Sequence, residues 1–168
     1  MQLRLDQLQA HLQKVGPQGL KPVYTLYGDE ALLAQEAADA LRAFARASGY
    51  TERQVFTVGG AHYDWASLLG AGSALSLFGD RQLIEIRIPS GKPGKEGSQA
   101  LQAYCEQAAS NEGMVTLVTL PRLDKTQMSS AWFTALDQVG MTLRCDPIER
   151  QAAGREDRDL VAELDRLV

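Results

Sequence analysis

The chain has 168 residues, of which 45% are apolar and 23% charged, and its net charge is −4. That length suffices for one well-cored domain and hardly for two, and the mix excludes a disordered polymer, a collagen-like rod and a disulfide scaffold. No apolar run approaches the ~18 residues of a membrane-spanning helix, and residues 1–16 lack the continuous apolar stretch of a secretory signal. No membrane contact and a cytoplasmic address are therefore expected, and the acidic balance excludes a generic polyanion binder, which needs clustered Lys and Arg in excess.

Leu5, Leu8, Leu12 and Val15 form a helical stripe over residues 4–15, stopped by Gly16-Pro17. Residues 22–27 read as a buried strand that runs into Gly28-Asp29-Glu30 and a second helix built on Leu33, Ala37, Ala40, Leu41 and Phe44. Ser48-Gly49 ends that helix with a C-terminal glycine signal. A strand over 54–58, a helix over 64–69 capped by Asp64, and a strand over 81–88 follow. Next come a helix over 98–109, an apolar strand over 114–120, a stripe of Met128, Trp132, Leu136 and Val139, and a strand over 141–145. Such alternation predicts an α/β fold, a mostly parallel sheet covered by helices on both faces with right-handed crossovers. Residues 149–168 differ: six acids and four arginines surround Leu160, Val161, Leu164, Leu167 and Val168, the pattern of an amphipathic tail outside the sheet.

In an α/β domain the first strand-to-helix turn is the natural phosphate site, because unpaired helix N–H groups and the helix dipole attract anions. A working phosphate loop wants GxxxxGK[ST]. The turn Leu26-Tyr27-Gly28-Asp29-Glu30-Ala31 has one glycine, no lysine and no hydroxyl, and it puts two carboxylates where phosphate would lie. Asp29 or Glu30 can cap the helix from within the chain. Gly28, Asp29 and Glu30 therefore read as a degenerate nucleotide site, and no cofactor is expected.

Other candidates are weaker. Gly91-Lys92-Pro93-Gly94-Lys95-Glu96-Gly97-Ser98 looks like a phosphate loop, yet Glu96 follows Lys95 and Pro93 removes a donor. It reads as a solvated flexible loop, with Lys92, Lys95 and Arg81 as candidates for contact with DNA or a partner. The strand over 83–88 ends in Pro89, where a nucleotide hydrolase would place a magnesium-binding acid, and no GxSxG elbow occurs. Cys105 and Cys145 lie far apart and, with His11 and His62, show no metal-ligand spacing, so reduced structural thiols are expected. No catalytic constellation emerges. Most distinctive is Ser73-Ala74-Leu75-Ser76-Leu77-Phe78-Gly79-Asp80-Arg81, whose apolar side chains either fold back on the sheet or serve as a plug for a partner's pocket.

Several stretches resemble the delta subunit of bacterial DNA polymerase III, the clamp-opening member of the replicative clamp loader. They are Val23-Tyr24-Thr25-Leu26-Tyr27-Gly28-Asp29-Glu30 with Leu32-Leu33, and Asp64-Trp65 with Leu68-Leu69. With them go Leu75-Ser76-Leu77-Phe78-Gly79-Asp80-Arg81-Gln82-Leu83 and Lys92-Pro93-Gly94-Lys95 before Gly97-Ser98, collinear over residues 1–148. The resemblance implies an AAA+-like, P-loop-NTPase-type three-layer αβα domain that has lost nucleotide binding. It also implies a plug, Leu77 and Phe78 led in by Leu75 and Ser76, for a pocket of the sliding clamp (the beta subunit). Ser73 stands where clamp-binding peptides often begin with glutamine. Gamma/tau and delta prime subunits would be further partners, and DNA an indirect or weak one. The chain would belong to a DNA-directed DNA polymerase holoenzyme, a nucleotidyltransferase, without catalysis of its own. Residues 149–168 would be either the start of a truncated lid domain or an added tail. A piece lacking the collar should not load clamps alone. The readings that compete with this are a small nucleotide-dependent enzyme with an atypical phosphate loop at 91–98 and a structural α/β module of another assembly.

Overall fold

A computed structural model describes residues 1–59, 62–73 and 81–146. In chain order the elements are β1 (Gln2–Leu3), a 3-10 turn (Leu5–Gln7), α1 (Leu8–Val15), β2 (Val23–Tyr27), α2 (Ala31–Ala47) and β3 (Glu52–Thr57). They continue with α3 (Trp65–Ser73), β4 (Gln82–Arg87), α4 (Gly94–Ser110), β5 (Met114–Leu120), α5 (Lys125–Met128), α6 (Ala131–Val139) and β6 (Gly140–Arg144). The strands form one sheet in the order β1-β6-β2-β5-β4-β3, and every pairing is parallel.

Strand alternation sorts the core into two layers. On β2, Val23 and Tyr27 join Ile84, Ile86, Val118 and the buried faces of α3, α4 and α6. Tyr24 and Leu26 join Leu83, Leu117, Leu143 and the inner faces of α1 and α2. The expected three-layer αβα architecture with a mostly parallel sheet is the one found. One deep polar pair is matched: the Tyr104 hydroxyl lies 2.6 Å from Thr116 Oγ1 across the α4–β5 contact, and burial pushes its pKa up.

Several boundaries differ from the sequence pattern. The helix expected over residues 4–15 opens as a 3-10 turn and becomes α-helical only at Leu8, and ahead of it Gln2 and Leu3 pair with Thr142 and Leu143 along the outer edge of β6. The stripe through Met128 and Val139 is two helices. Asp124 and Gln127 make a reciprocal capping box on the first, and the Ser130 hydroxyl accepts from Phe133 N to start the second. The helix expected from residue 98 already begins at Gly94, so Lys95, Glu96 and Gly97 form its first turn and are not loop. Gly94 permits this by turning at φ 78°, and Gly97 lies under the indole of Trp65.

One buried charge stands out. Glu85 of β4 is 1% exposed. Arg42 Nε reaches both its carboxylate oxygens at 3.1 Å and Nη2 reaches Oε1 at 2.8 Å, while Arg53 Nε donates to Oε2. Burial alone would raise the Glu85 pKa, but the hydrogen bonds from Arg42 and Arg53 outweigh it and hold the group below its ordinary 4.5.

Two outcomes are expected. A Cβ at Gly97 would sit 2.5 Å from Trp65 Cζ2, so Gly97→Ala should lower stability by about 1–3 kcal/mol in urea titration, overpacking outweighing the ~1 kcal/mol gained in helix propensity. Wild type should also exceed Glu85→Gln in stability by about 1–3 kcal/mol at neutral pH. Because the native pKa is depressed, that margin is full above about pH 4.5 and shrinks as the pH falls through the lowered native value. Parallel urea titrations across that range check the sign.

Candidate functional site

The carboxyl ends of β2, β5 and β6 meet at the first strand-to-helix turn, where a doubly wound sheet would hold a nucleotide. Here the chain itself fills the turn. Gly28 N donates to Pro121 O at 3.2 Å and Glu30 N to Cys145 O at 3.0 Å, while Cys145 N donates back to Tyr27 O at 2.6 Å. The Glu30 carboxylate accepts from Leu32 N at 3.3 Å and caps α2, the role the sequence left open between Asp29 and Glu30. Asp29 Oδ2 lies 4.0 Å from Arg122 Nη1, and Arg144 is ion-paired with Asp146 just beyond β6. Gly28 has φ 142°, and a Cβ there would stand 2.1 Å from Cys145 O. The glycine serves a backbone-on-backbone contact, and the amides of Gly28, Glu30 and Leu32 already have acceptors within the chain.

The lysine-rich segment is likewise engaged. Ser90 Oγ accepts from Lys92 N at 3.1 Å, and Gln127 Nε2 donates to Gly91 O at 2.9 Å. Lys92 and Lys95 are exposed at the carboxyl end of β4. Arg81 lies at its amino end, with its guanidinium 5.4 Å from the Tyr50 ring centre, lining a cavity of about 370 Å³. A strand rise of about 3.3 Å per residue puts Arg81 roughly 20 Å from Lys92 and Lys95, so the three do not form one patch.

Leu75, Ser76, Leu77 and Phe78 lie outside the described residues, as does the expected tail over 149–168. Ser73 is the last residue of α3. Asp64 caps that helix, accepting from Ser67 N at 3.3 Å, and Trp65 anchors its start against Gly97. Because α3 returns from the carboxyl end of β3 to feed β4, Ser73 and Arg81 stand at the amino end of the sheet, away from the Gly28 turn.

Cys105 and Cys145 are buried on opposite faces of the sheet, and burial pushes both thiols up to about 12. His11 packs on Tyr24, with Nε2 2.9 Å from its hydroxyl, and burial with Lys21 and Lys14 nearby lowers its pKa. Among the described residues, no three His, Cys, Asp or Glu side chains gather as metal ligands, and no helix is long and apolar enough to cross a membrane. The acceptors from Pro121 and Cys145 had no signal in the sequence, since they belong to strands brought in from far along the chain.

Gly28→Ala combines a strained φ with a blocked approach, so it should destabilise the domain by more than about 2 kcal/mol in denaturant titration. Leu32→Ala, at a residue 60% exposed in the first turn of α2, should change stability by less than about 0.5 kcal/mol.

A family model described as DNA polymerase III, delta subunit, matches residues 24–146. The chain is 30% identical over 145 residues to DNA polymerase III subunit delta of Escherichia coli, covering 86% of this chain and 40% of that protein. It is 27% identical over 135 residues to the Haemophilus influenzae subunit delta, covering 79% and 36%. It thus spans about two fifths of the length of these curated relatives. A solved structure of a Bacillus subtilis DNA clamp loader delta protein superposes with a TM-score of 0.64 at 19% identity, over 86% of this chain and 43% of that one, which is a likeness of fold. With the match running from β2 through the last described strand, the chain belongs to the delta-subunit family of DNA polymerase III.

Proposed function

We propose that residues 1–148 are the sliding-clamp-binding domain of a cytoplasmic DNA polymerase III clamp loader, acting as a clamp-opening wedge in DNA replication. The observation that carries this reading is the family match through residues 24–146, which runs across the Leu75-Ser76-Leu77-Phe78 motif. Leu77 and Phe78 are the plug. Burying each in an apolar pocket is worth about 1.5–3 kcal/mol, enough to dominate a peptide-in-pocket contact. The bias toward an open clamp then equals the difference in affinity for the open and closed forms.

On this reading the domain contributes no nucleotide hydrolysis to the holoenzyme. The turn at Gly28 supports that, because Pro121 O and Cys145 O occupy two of its amides, those of Gly28 and Glu30. ATP acts elsewhere, in partner subunits, by exposing or hiding the plug.

Binding of the chain to a purified sliding clamp, followed by titration calorimetry, tests the proposal. A Leu77→Ala/Phe78→Ala double variant should weaken binding by roughly a hundredfold or more while its circular dichroism stays that of wild type. Phe78→Ala alone should leave the melting temperature nearly unchanged. A loss of about 3–5 kcal/mol, as for a core Phe, would assign it to packing and end the plug reading. A folded wild type with no affinity for the clamp overturns the function, and saturable binding of ATP with magnesium overturns the inert-site reading.

A further inference from the structure

β3 is the outer strand of the sheet, and among the described residues nothing pairs with its far edge. Its ladder to β4 uses alternate residues: Glu52 N donates to Arg81 O and Val58 N to Arg87 O. By the alternation of a parallel ladder, the peptide groups of Glu52, Gln54 and Phe56 face β4, and those of Arg53, Val55 and Thr57 face outward. The side chains of these same three residues share the sheet face of Glu85 and Arg87. All three are exposed, Val55 at 42%. Parallel sheets are ordinarily covered on both faces, but here α2 lies over β2 and β5 and leaves this flank open.

The open flank is charged in an organised way. Glu85 is buried beneath Arg42, Arg53 and Arg87, and Asp39 pairs with Arg42 at 2.8 Å, so the cluster keeps an excess of positive charge in a chain of net −4. Arg53 engages Glu85 through Nε alone, and Arg87 through one terminal nitrogen at 3.5 Å. Both side chains are near half-exposed, so each fork retains donors whose direction the buried carboxylate sets.

We propose that the outer edge of β3 takes an extended acidic peptide segment of a partner protein by strand addition. Main-chain pairing to Arg53, Val55 and Thr57 supplies the affinity. An acid–x–apolar–x–acid pattern places one carboxylate beside Arg53, the apolar side chain on Val55, and the second carboxylate beside Thr57 and Arg87, matching guanidinium forks to carboxylates. A nucleic-acid backbone fits less well, since tracking phosphates requires a stripe of unbalanced cations, and Glu85 and Asp39 offset most of this charge. The proposal is independent of the clamp-binding reading, because it uses none of residues 74–80.

The test uses the whole chain and a fluorescein-labelled peptide, Thr-Glu-Thr-Val-Thr-Glu-Thr, blocked at both ends. Anisotropy should show saturable binding. Amide exchange should slow on binding at Arg53, Val55 and Thr57, and stay unchanged at Gln54 and Phe56. Val55→Pro removes an amide outside the ladder, which an edge strand tolerates, and should abolish binding while circular dichroism is kept. Arg53→Gln should weaken binding by roughly tenfold. N-methylation of alternate peptide amides should abolish it without touching the protein. Failure of wild type to saturate, binding that survives both Val55→Pro and N-methylation, or preference for a single-stranded oligothymidylate over the peptide each overturns the proposal. If instead Arg53→Val makes the chain self-associate and wild type ignores the peptide, the arginine merely guards a bare edge and the proposal falls.

Discussion

The contact between Gly28 and the backbone of Cys145 is the constraint on which the carboxyl end of this sheet depends. β2 lies between β5 and β6, and the chain leaves it through a turn whose amides donate to both neighbours, to Pro121 O and to Cys145 O. A side chain at position 28 would collide with the Cys145 carbonyl, and the left-handed φ would strain it besides. That seam sets where α2 starts, and with it the layer made by Leu41, Leu26 and Leu143. A crevice of the kind that receives phosphates in related architectures is here a set of internal hydrogen bonds.

Away from that turn, the described residues carry a second distinctive feature. Among the described residues, strong electrostatics appears on the flank of β3 and β4, where Glu85 is buried at the cost of desolvation and recovered by two guanidinium donors. The Leu77-Phe78 motif lies in sequence between α3 and β4, outside the described residues. One parallel sheet therefore sets the hydrogen-bonded turn at its carboxyl end apart from the charged flank of its outer strands.

Apolar runs and glycine signals made much of the fold legible. β5 is readable to the residue because Met114 to Leu120 is a run buried on both faces, and α2 because its stripe ends at Ser48-Gly49. The helix cap at the Gly28-Asp29-Glu30 turn was legible too, since either carboxylate could supply it and Glu30 does. β1 was not, because two residues carry no periodicity and their pairing to Thr142 and Leu143 spans nearly the whole chain. The start of α4 was hidden by Pro93 and two glycines, which locally argue for a loop until Trp65 packs on Gly97. The sequence did not say how far Arg81 stands from Lys92 and Lys95, which a strand holds apart. Glu85 gave no hint of its role, since its partners Arg42 and Arg53 sit on a helix and a strand far upstream.

The seating of Trp65 on Gly97 has a mechanical meaning. Trp65 is buried at the first turn of α3, against the first turn of α4, with no room for even a methyl group between them. Close-packed interiors have low compressibility and pass strain on. α3 is thus a strut braced at its base on the longer α4, and a load applied at Ser73 is carried into the body of the domain. Whatever turns the sheet therefore turns α3 with it, as one rigid lever.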